Sequence, residues 1–470
     1  MTFEWGNVVP AFSKTCGLVL VALGLLTIPY SACKAGAPAP SEQVGPGASA
    51  AERGYHWLLT KEYGTGDFGN ETFDSLWTVW PEDLKKKAEG MSSLERRKLA
   101  FSRYGLIERP GTEGKPLGFV VDEKGRWTMN CFACHGGKVA GKVMPGVGNS
   151  HFAFQTFAQD VLKYRIEKGK AQPRELFSQM LTPLGKSNGT TNAQIFSVGL
   201  VAMRDPELHF VRPKQIPRLV HHDLDAPPLW NVKKKKRIYI DGYVEKSHRV
   251  IMQFVLIPSN DSETIKSWES DFADILAWIE SLEAPKYPWP VDKKLAELGR
   301  PLFEKTCAGC HGKQGEKYPE RTIPIDELGT DSLRLTGMSA EHRRFFKSGW
   351  MGVGENGVEE HPEGYVAPPL DGIWASAPYF HNGAVPTLWH VMHPDQRPAV
   401  WLRTEDGYDQ EKVGLEVAGF NELPQEVKDP AEQRRYFNSR IAGKSVAGHD
   451  YPNDLTEDEK RAVLEYLKTL

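Results

Sequence analysis

The pentapeptide Cys-X-X-Cys-His occurs twice, as Cys131-Phe132-Ala133-Cys134-His135 and as Cys307-Ala308-Gly309-Cys310-His311. Two thiols at this spacing can add to the two vinyl groups of one porphyrin, and the histidine that follows reaches the iron from the same side. A zinc centre needs four ligands, and each pentapeptide supplies three. A redox-active Cys-X-X-Cys would need a β-α-β context and would leave both histidines unexplained. The chain is therefore expected to fold around two covalently bound haem c groups. Cys131, Cys134, Cys307 and Cys310 would carry the porphyrins, and His135 and His311 would bind the irons.

Of the 6 cysteines, only Cys16 and Cys33 remain, so no disulfide framework is left. Both lie in an N-terminal stretch with Lys14, an apolar run from Gly17 to Ile28, and the small residues Ser31, Ala32, Ala35 and Ala37. This reads as an export leader over residues 1–35, its apolar run too short for a spanning helix of about 20 residues. Tyr30-Ser31-Ala32-Cys33 also resembles a lipoprotein processing site, with Cys33 as the lipid-bearing residue. A periplasmic or cell-envelope location agrees with haem attachment outside the cytoplasm. The net charge of -3 gives no pull toward nucleic acid. The one basic cluster, Lys233 to Arg237, reads as a solvated loop, with a haem carboxylate or partner contact as the alternative.

A linker rich in Pro, Gly, Ala and Ser spans residues 36–50, and three prolines between Ala284 and Pro290 mark a second boundary. One Cys-X-X-Cys-His falls on each side, giving domains over 51–284 and 291–470. The first ends in a helical stripe of Ile265, Trp268, Phe272, Ile275, Leu276 and Ile279. The second ends in a helix opened by a Thr456–Glu459 capping box, with Val463, Tyr466, Leu467 and Leu470 on its apolar face. Leu295, Leu298 and Leu302 form a matching stripe, Gly299 leaves room for the terminal helix to cross closely, and Pro301 is expected to shorten or kink the helix. No alternating run is long enough to indicate a sheet. The expected fold is mainly α: two cytochrome c-like haem domains joined by a Pro-rich linker, with long loops and little sheet.

Axial ligation decides what such a chain can do. An electron carrier keeps each iron six-coordinate, whereas a peroxidase or oxygenase needs one open or releasable position. From the residue pattern alone, His381 and His449 are equal candidates for a distal ligand.

The segment Pro378-Tyr379-Phe380-His381-Asn382-Gly383, followed by Val385-Pro386-Thr387-Leu388, resembles the signature of the bacterial di-haem cytochrome c peroxidase and MauG superfamily. Together with Ala447-Gly448-His449-Asp450-Tyr451 before the last helix, it is most similar to the branch that contains the rubber oxygenases. The resemblance implies that His311 and His449 share the C-terminal iron, with His381 beside a propionate or orienting another ligand. It makes the His135 haem the reactive one. His221 and His222 are each open to three roles there: distal ligand, acid-base group, or ordinary loop residue. Where the superfamily carries a tryptophan before Asp-Gly, this chain has Ile240 before Asp241-Gly242, leaving Tyr239 or a direct jump between haems. Phe254 stands either over the distal face or in the core. The implied function is activation of peroxide or O₂ at the N-terminal haem with electrons relayed by the C-terminal haem, drawn from a small cytochrome or cupredoxin. The alternative is a non-catalytic electron-transfer cytochrome.

Overall fold

Two helix crossings carry the two Cys-X-X-Cys-His turns. The helix Ala50–Thr60 opens on a capping box, in which Ser49 accepts from the Glu52 backbone and the Glu52 carboxylate accepts from the Ser49 backbone. It packs across Glu269–Ser281. A Cβ placed on Gly54 would stand 2.0 Å from the Asp274 carbonyl oxygen. The helix Lys293–Thr306 crosses the terminal helix Glu457–Leu467 in the same way, with a Cβ on Gly299 falling 2.0 Å from the carbonyl oxygen of Ala462. Each glycine brings two helix backbones into contact. The Gly299 crossing and the Thr456–Glu459 capping box follow the sequence pattern, and the Gly54 crossing is a second instance that the pattern did not reveal.

The computed structural model describes residues 44–66, 68–171, 185–213 and 219–470, apart from the side chains of 405 and 406. The expected leader, with Cys16 and Cys33, lies outside the described residues, as does most of the 36–50 linker. Among the described residues no helix is long and apolar enough to cross a membrane.

The chain is mainly helical with small sheets. Three expectations need correction. The helix Lys293–Thr306 runs unbroken through Pro301, which lies on the exposed side where the carbonyl it leaves free can be hydrated. Its buried face is Ala296, Gly299 and Phe303, while Leu298 is 65% exposed. A crossing this close selects the small residues, so Leu298 is turned away from it, while Leu302 packs at the edge of the core. Finally, Val400–Asp409 forms the centre of a three-stranded antiparallel sheet between Gly414–Phe420 and Tyr436–Asn438. Its anchor is Trp401, which stacks on Phe437 at 5.1 Å and donates its indole N–H to the Ala384 carbonyl. Arg403 and Thr404 in the same strand hid this alternation from the sequence.

The proline segment from Ala284 to Pro290 is extended between two helices. The hydrophobic cores are not divided there. One core joins Leu58, Phe132, Phe272 and Ile275 to Met338, Phe346 and Met351 from beyond the segment. A second joins Phe303, Trp374, Val463 and Leu467 to Val147 and Trp230 from before it.

Gly54→Ala and Gly299→Ala should each lower stability by about 1–3 kcal/mol through overpacking. Thermal unfolding of the haem-loaded protein reads this directly, and unchanged melting in both would show that the crossings have slack.

Candidate haem centres

Asn130 holds the first pentapeptide in place. Its side-chain amide donates to the Leu58 and Leu117 carbonyls and its oxygen accepts from the Phe132 N–H. Asn149 closes the other side, donating from its backbone to the Cys134 carbonyl and from its side chain to Ala133. Phe132 enters the core against Tyr55 and Trp278, with ring centroids 5.7 and 5.3 Å away. In the second pentapeptide Cys307 ends one helix and starts the next, and Ala308 is buried.

Cys131 is exposed, and Cys134, Cys307 and Cys310 are half-buried. Cys131 has open surface around its side chain, yet crowding by protein pushes its thiol up to about 11 and that of Cys134 up to about 12. Burial likewise pushes Cys307 up to about 12. This is a cradle suited to an apolar macrocycle attached through these sulfurs.

Both pentapeptide histidines are oriented alike. His135 Nδ1 lies 3.1 Å from the Pro227 carbonyl oxygen, and His311 Nδ1 lies 2.8 Å from that of Pro368. A carbonyl accepts only from an N–H, so each ring carries its proton on Nδ1 and offers a bare Nε2 to a metal. Burial pushes His135 down to about 4 and also lowers His311, which keeps both rings in the neutral, metal-binding form. Pro227 and Pro368 occupy equivalent turns, Ala226-Pro227-Pro228-Leu229 and Ala367-Pro368-Pro369-Leu370. That repeated tetrapeptide is the sequence signal that marks the two acceptors. Tyr318 pins the second turn by donating its hydroxyl to the Ala367 carbonyl.

His449 faces His311. Their ring centroids are 6.1 Å apart. With metal–imidazole bonds of about 2 Å, two axial imidazoles on opposite sides of one ion have centroids separated by about 6 Å. The loop is built to hold His449 there, at a left-handed φ of 55°. Its N–H donates to the Leu328 carbonyl. The buried Arg397 guanidinium donates to the carbonyls of Val446 and Gly448 and lies over the Phe380 ring. Burial, then His311 and Arg397, push His449 down to about 3, and its Nδ1 is buried without a partner.

The remaining candidate histidines separate by geometry. His221 has both ring nitrogens engaged, Nε2 with Asp223 at 2.7 Å and Nδ1 with the Asn192 amide at 2.9 Å. His222 donates Nδ1–H to the Val220 carbonyl and leaves a buried Nε2 without a partner. It lies against Gly337 and Gly443. Burial, then Arg334, push it down to about 4. His381, beside the Tyr365 ring at 4.6 Å, is pushed down to about 3 by burial and then by Arg334 and His222. His222 and His381 thus belong to one buried basic cluster. At its centre Asp241 accepts from Arg334 at 3.0 Å and Arg343 at 3.2 Å. Two guanidiniums on one carboxylate leave a net positive charge in the interior. Tyr239 stacks on Tyr243 at 5.3 Å and accepts from Gln253. Phe254 is 39% exposed, so it is not a core residue.

The Lys233–Arg237 run is tied down, contrary to the solvated loop expected. Lys233 pairs with Glu283 and Lys234 with Asp371, and Glu320 accepts from the Lys236 and Arg237 backbones. Lys235 is pushed down to about 8 by burial. Among the described residues no group of three or more His, Cys, Asp or Glu is arranged to hold a bare metal ion.

Residues 364–402 match the family model of RoxA-like, cytochrome c-like proteins. The match supports a c-type cytochrome of the RoxA-like branch, and with it the binding of haem c. The matched segment contains Pro368, His381 and the start of the Trp401 strand. The chain is also similar to two uncharacterized proteins of Sinorhizobium fredii. One, y4iM, is 26% identical over 290 residues, covering 52% of this chain and 64% of its own length. The other, y4iJ, is 27% identical over 264 residues, covering 40% of this chain and 41% of its own length. The chain therefore spans less than two thirds of each of these relatives.

Asp223 ties the histidine loop to the rest of the chain. Its fully buried carboxylate accepts from His221, from Thr190 at 2.8 Å, and from the Lys186 and Ser187 backbones, and it pairs with buried Lys444 at 2.8 Å. Burial opposes its charge, but Lys444 and then His221 outweigh that and hold the carboxyl well below the usual range. A folded pKa below the unfolded one contributes stability at neutral pH that is lost as pH falls through the acid range. Asp223→Asn should cost about 3–5 kcal/mol at pH 7 by stranding the lysine. Adding Lys444→Met should recover most of the loss. Chemical denaturation of the wild type, the single variant and the double variant checks both expectations.

Proposed function

We propose that this chain is an exported di-haem c-type cytochrome acting as a peroxidase- or oxygenase-like oxidoreductase. Cys131, Cys134 and His135 hold one haem, and Cys307, Cys310, His311 and His449 hold the other. The observation that carries this reading is the inequality of the two centres. His449 faces His311 at 6.1 Å, and among the described residues no second imidazole is packed in that way against His135. An iron closed by two imidazoles stores and relays electrons, whereas one with a free face can take up peroxide or O₂.

Bound haem supplies the one-electron chemistry and the cleavage of the O–O bond. The chain positions and protonates. Pro227 and Pro368 hold the Nδ1 protons of His135 and His311, which aims each Nε2. His222, neutral and with an unpartnered Nε2, is the group that can accept a proton and return it. His221 is fixed by Asp223 and Asn192 and serves as a brace. The excess positive charge of Arg334 and Arg343 over Asp241 suits the carboxylates of a porphyrin, with His381 alongside. The electron donor is a small cytochrome or cupredoxin. The leader over 1–35 places the protein in the periplasm or cell envelope, free or anchored through Cys33.

Electron paramagnetic resonance of oxidised and half-reduced samples tests the reading. The expected spectrum has one bis-imidazole low-spin centre and one centre that is high-spin or opens on half-reduction. His449→Ala should convert the first to high spin without releasing haem. His222→Gln should slow the reaction with peroxide by about a hundredfold or more while leaving both spin states unchanged. Two low-spin centres that persist on half-reduction, without reaction toward peroxide or O₂, would make the protein an electron carrier instead.

A further inference from the structure

A cleft of about 760 Å³ lies apart from both pentapeptides, and none of their cysteines or histidines lines it. Three parts of the chain build it. The first is the helix Ser93–Tyr104 with the loop that follows. The second is the hairpin after His135, through Lys138 and Val143, together with Ser150 and His151. The third is the strand Val400–Asp409 with Glu432, Arg435 and Phe437. Between its polar groups the lining is apolar, through Leu99, Phe101, Ile107, Val143 and Trp401.

The charge on this lining is one-sided. Among the described residues seven lysine and arginine side chains line the cleft, against the two carboxylates of Glu108 and Glu432. Glu108 is taken up by the Gly114 N–H. Asp74 and Asp160, outside the lining, pair with Arg97 and Arg103. Counting all four carboxylates still leaves three positive charges in excess, in a chain whose net charge is -3. A cleft lined by one sign of charge between apolar walls focuses its field on whatever enters.

The cations are also held in place. The Arg403 guanidinium donates to the Ser150 carbonyl at 2.8 Å and to the Ser150 hydroxyl at 2.7 Å. Arg97 donates from Nε to the Gly114 carbonyl at 2.9 Å. Gly114, at φ 69°, is needed there, because a Cβ would stand 3.1 Å from that nitrogen. Arg435 is braced by Glu432 at 2.8 Å. A guanidinium fixed in this way is a rigid fork, the geometry that carboxylates, sulfonates and phosphates fit.

We propose that this cleft binds a small organic polyanion, a molecule with an apolar body and two or more acidic groups. The apolar body answers to Phe101, Ile107 and Trp401. More than one acidic group answers to cations that stand on separate parts of the wall, Arg97 and Lys98 on the helix and Arg403 and Arg435 near the sheet. The volume falls within the range of small-molecule pockets, about 300–1,000 Å³. The site goes beyond the haem reading and needs neither iron nor porphyrin.

Calorimetric titration of the full, haem-loaded protein with pyrene-1,3,6,8-tetrasulfonate, a flat apolar body with four acidic groups, tests the site. One molecule should bind per chain. Lys98→Glu and Arg435→Glu alter exposed side chains on separate parts of the wall. Each should weaken binding about tenfold while the melting temperature stays the same, and raising salt from about 0.05 to about 0.5 M should weaken the wild type by at least as much. If either reversal lowers the melting temperature, Lys98→Gln and Arg435→Gln are read in its place, with a loss of about threefold expected. Absence of binding, several equivalent sites, or an affinity that the variants leave unaltered overturns the proposal. None of these outcomes bears on the haem reading, which the paramagnetic resonance spectra test separately.

Discussion

An imidazole that is to offer one nitrogen to a metal has to be held by the other, and in this protein a proline carbonyl does the holding at both places. Proline is suited to the task. It has no N–H of its own to compete, and the second proline that follows each of them confines its ψ and so keeps its carbonyl in one direction. The rest of the architecture positions those two carbonyls. Asn130 and Asn149 fix the first pentapeptide, Tyr318 fixes the second proline turn, and the glycine crossings bring the helices near enough to carry both.

The interior around these centres is unusually rich in charge for a helical protein, and the charges fall into two kinds. Asp223 and Lys444 neutralise each other and act as a rivet between distant loops. Arg334, Arg343 and Asp241 do not balance, and three neighbouring histidines are held neutral by burial first and by Arg334 second. A folded chain keeps an unbalanced buried charge where a bound anion completes it.

Much of the site was legible in the residues. The pentapeptides offered the anchors, and the family resemblance, not the residue pattern, favoured His449 over His381. The Thr456 capping box and Gly299 placed the last crossing. What was not legible shares one physical cause. Pro227 and Pro368 act through backbone atoms on residues 92 and 57 positions away, and a backbone acceptor has no side-chain signature. Arg397 likewise works by gathering carbonyls, which any sequence supplies. His221 and His222 are chemically identical neighbours, and only their partners, Asp223 on one side and Val220 on the other, tell them apart. Leu298 in the stripe before the second pentapeptide misled because it was read by bulk, whereas a crossing at backbone contact is set by the smallest residues.

The shared cores bear on how such a protein could arise and be taken apart. Each half of the chain carries one Cys-X-X-Cys-His and one helix crossing closed by a glycine. Yet Trp230 now fills the interior of the second half, and Met338 and Phe346 fill that of the first. The halves have exchanged pieces of their walls. A cut at the proline segment would not release two small cytochromes but two open shells, each with a large apolar face that only the other can cover.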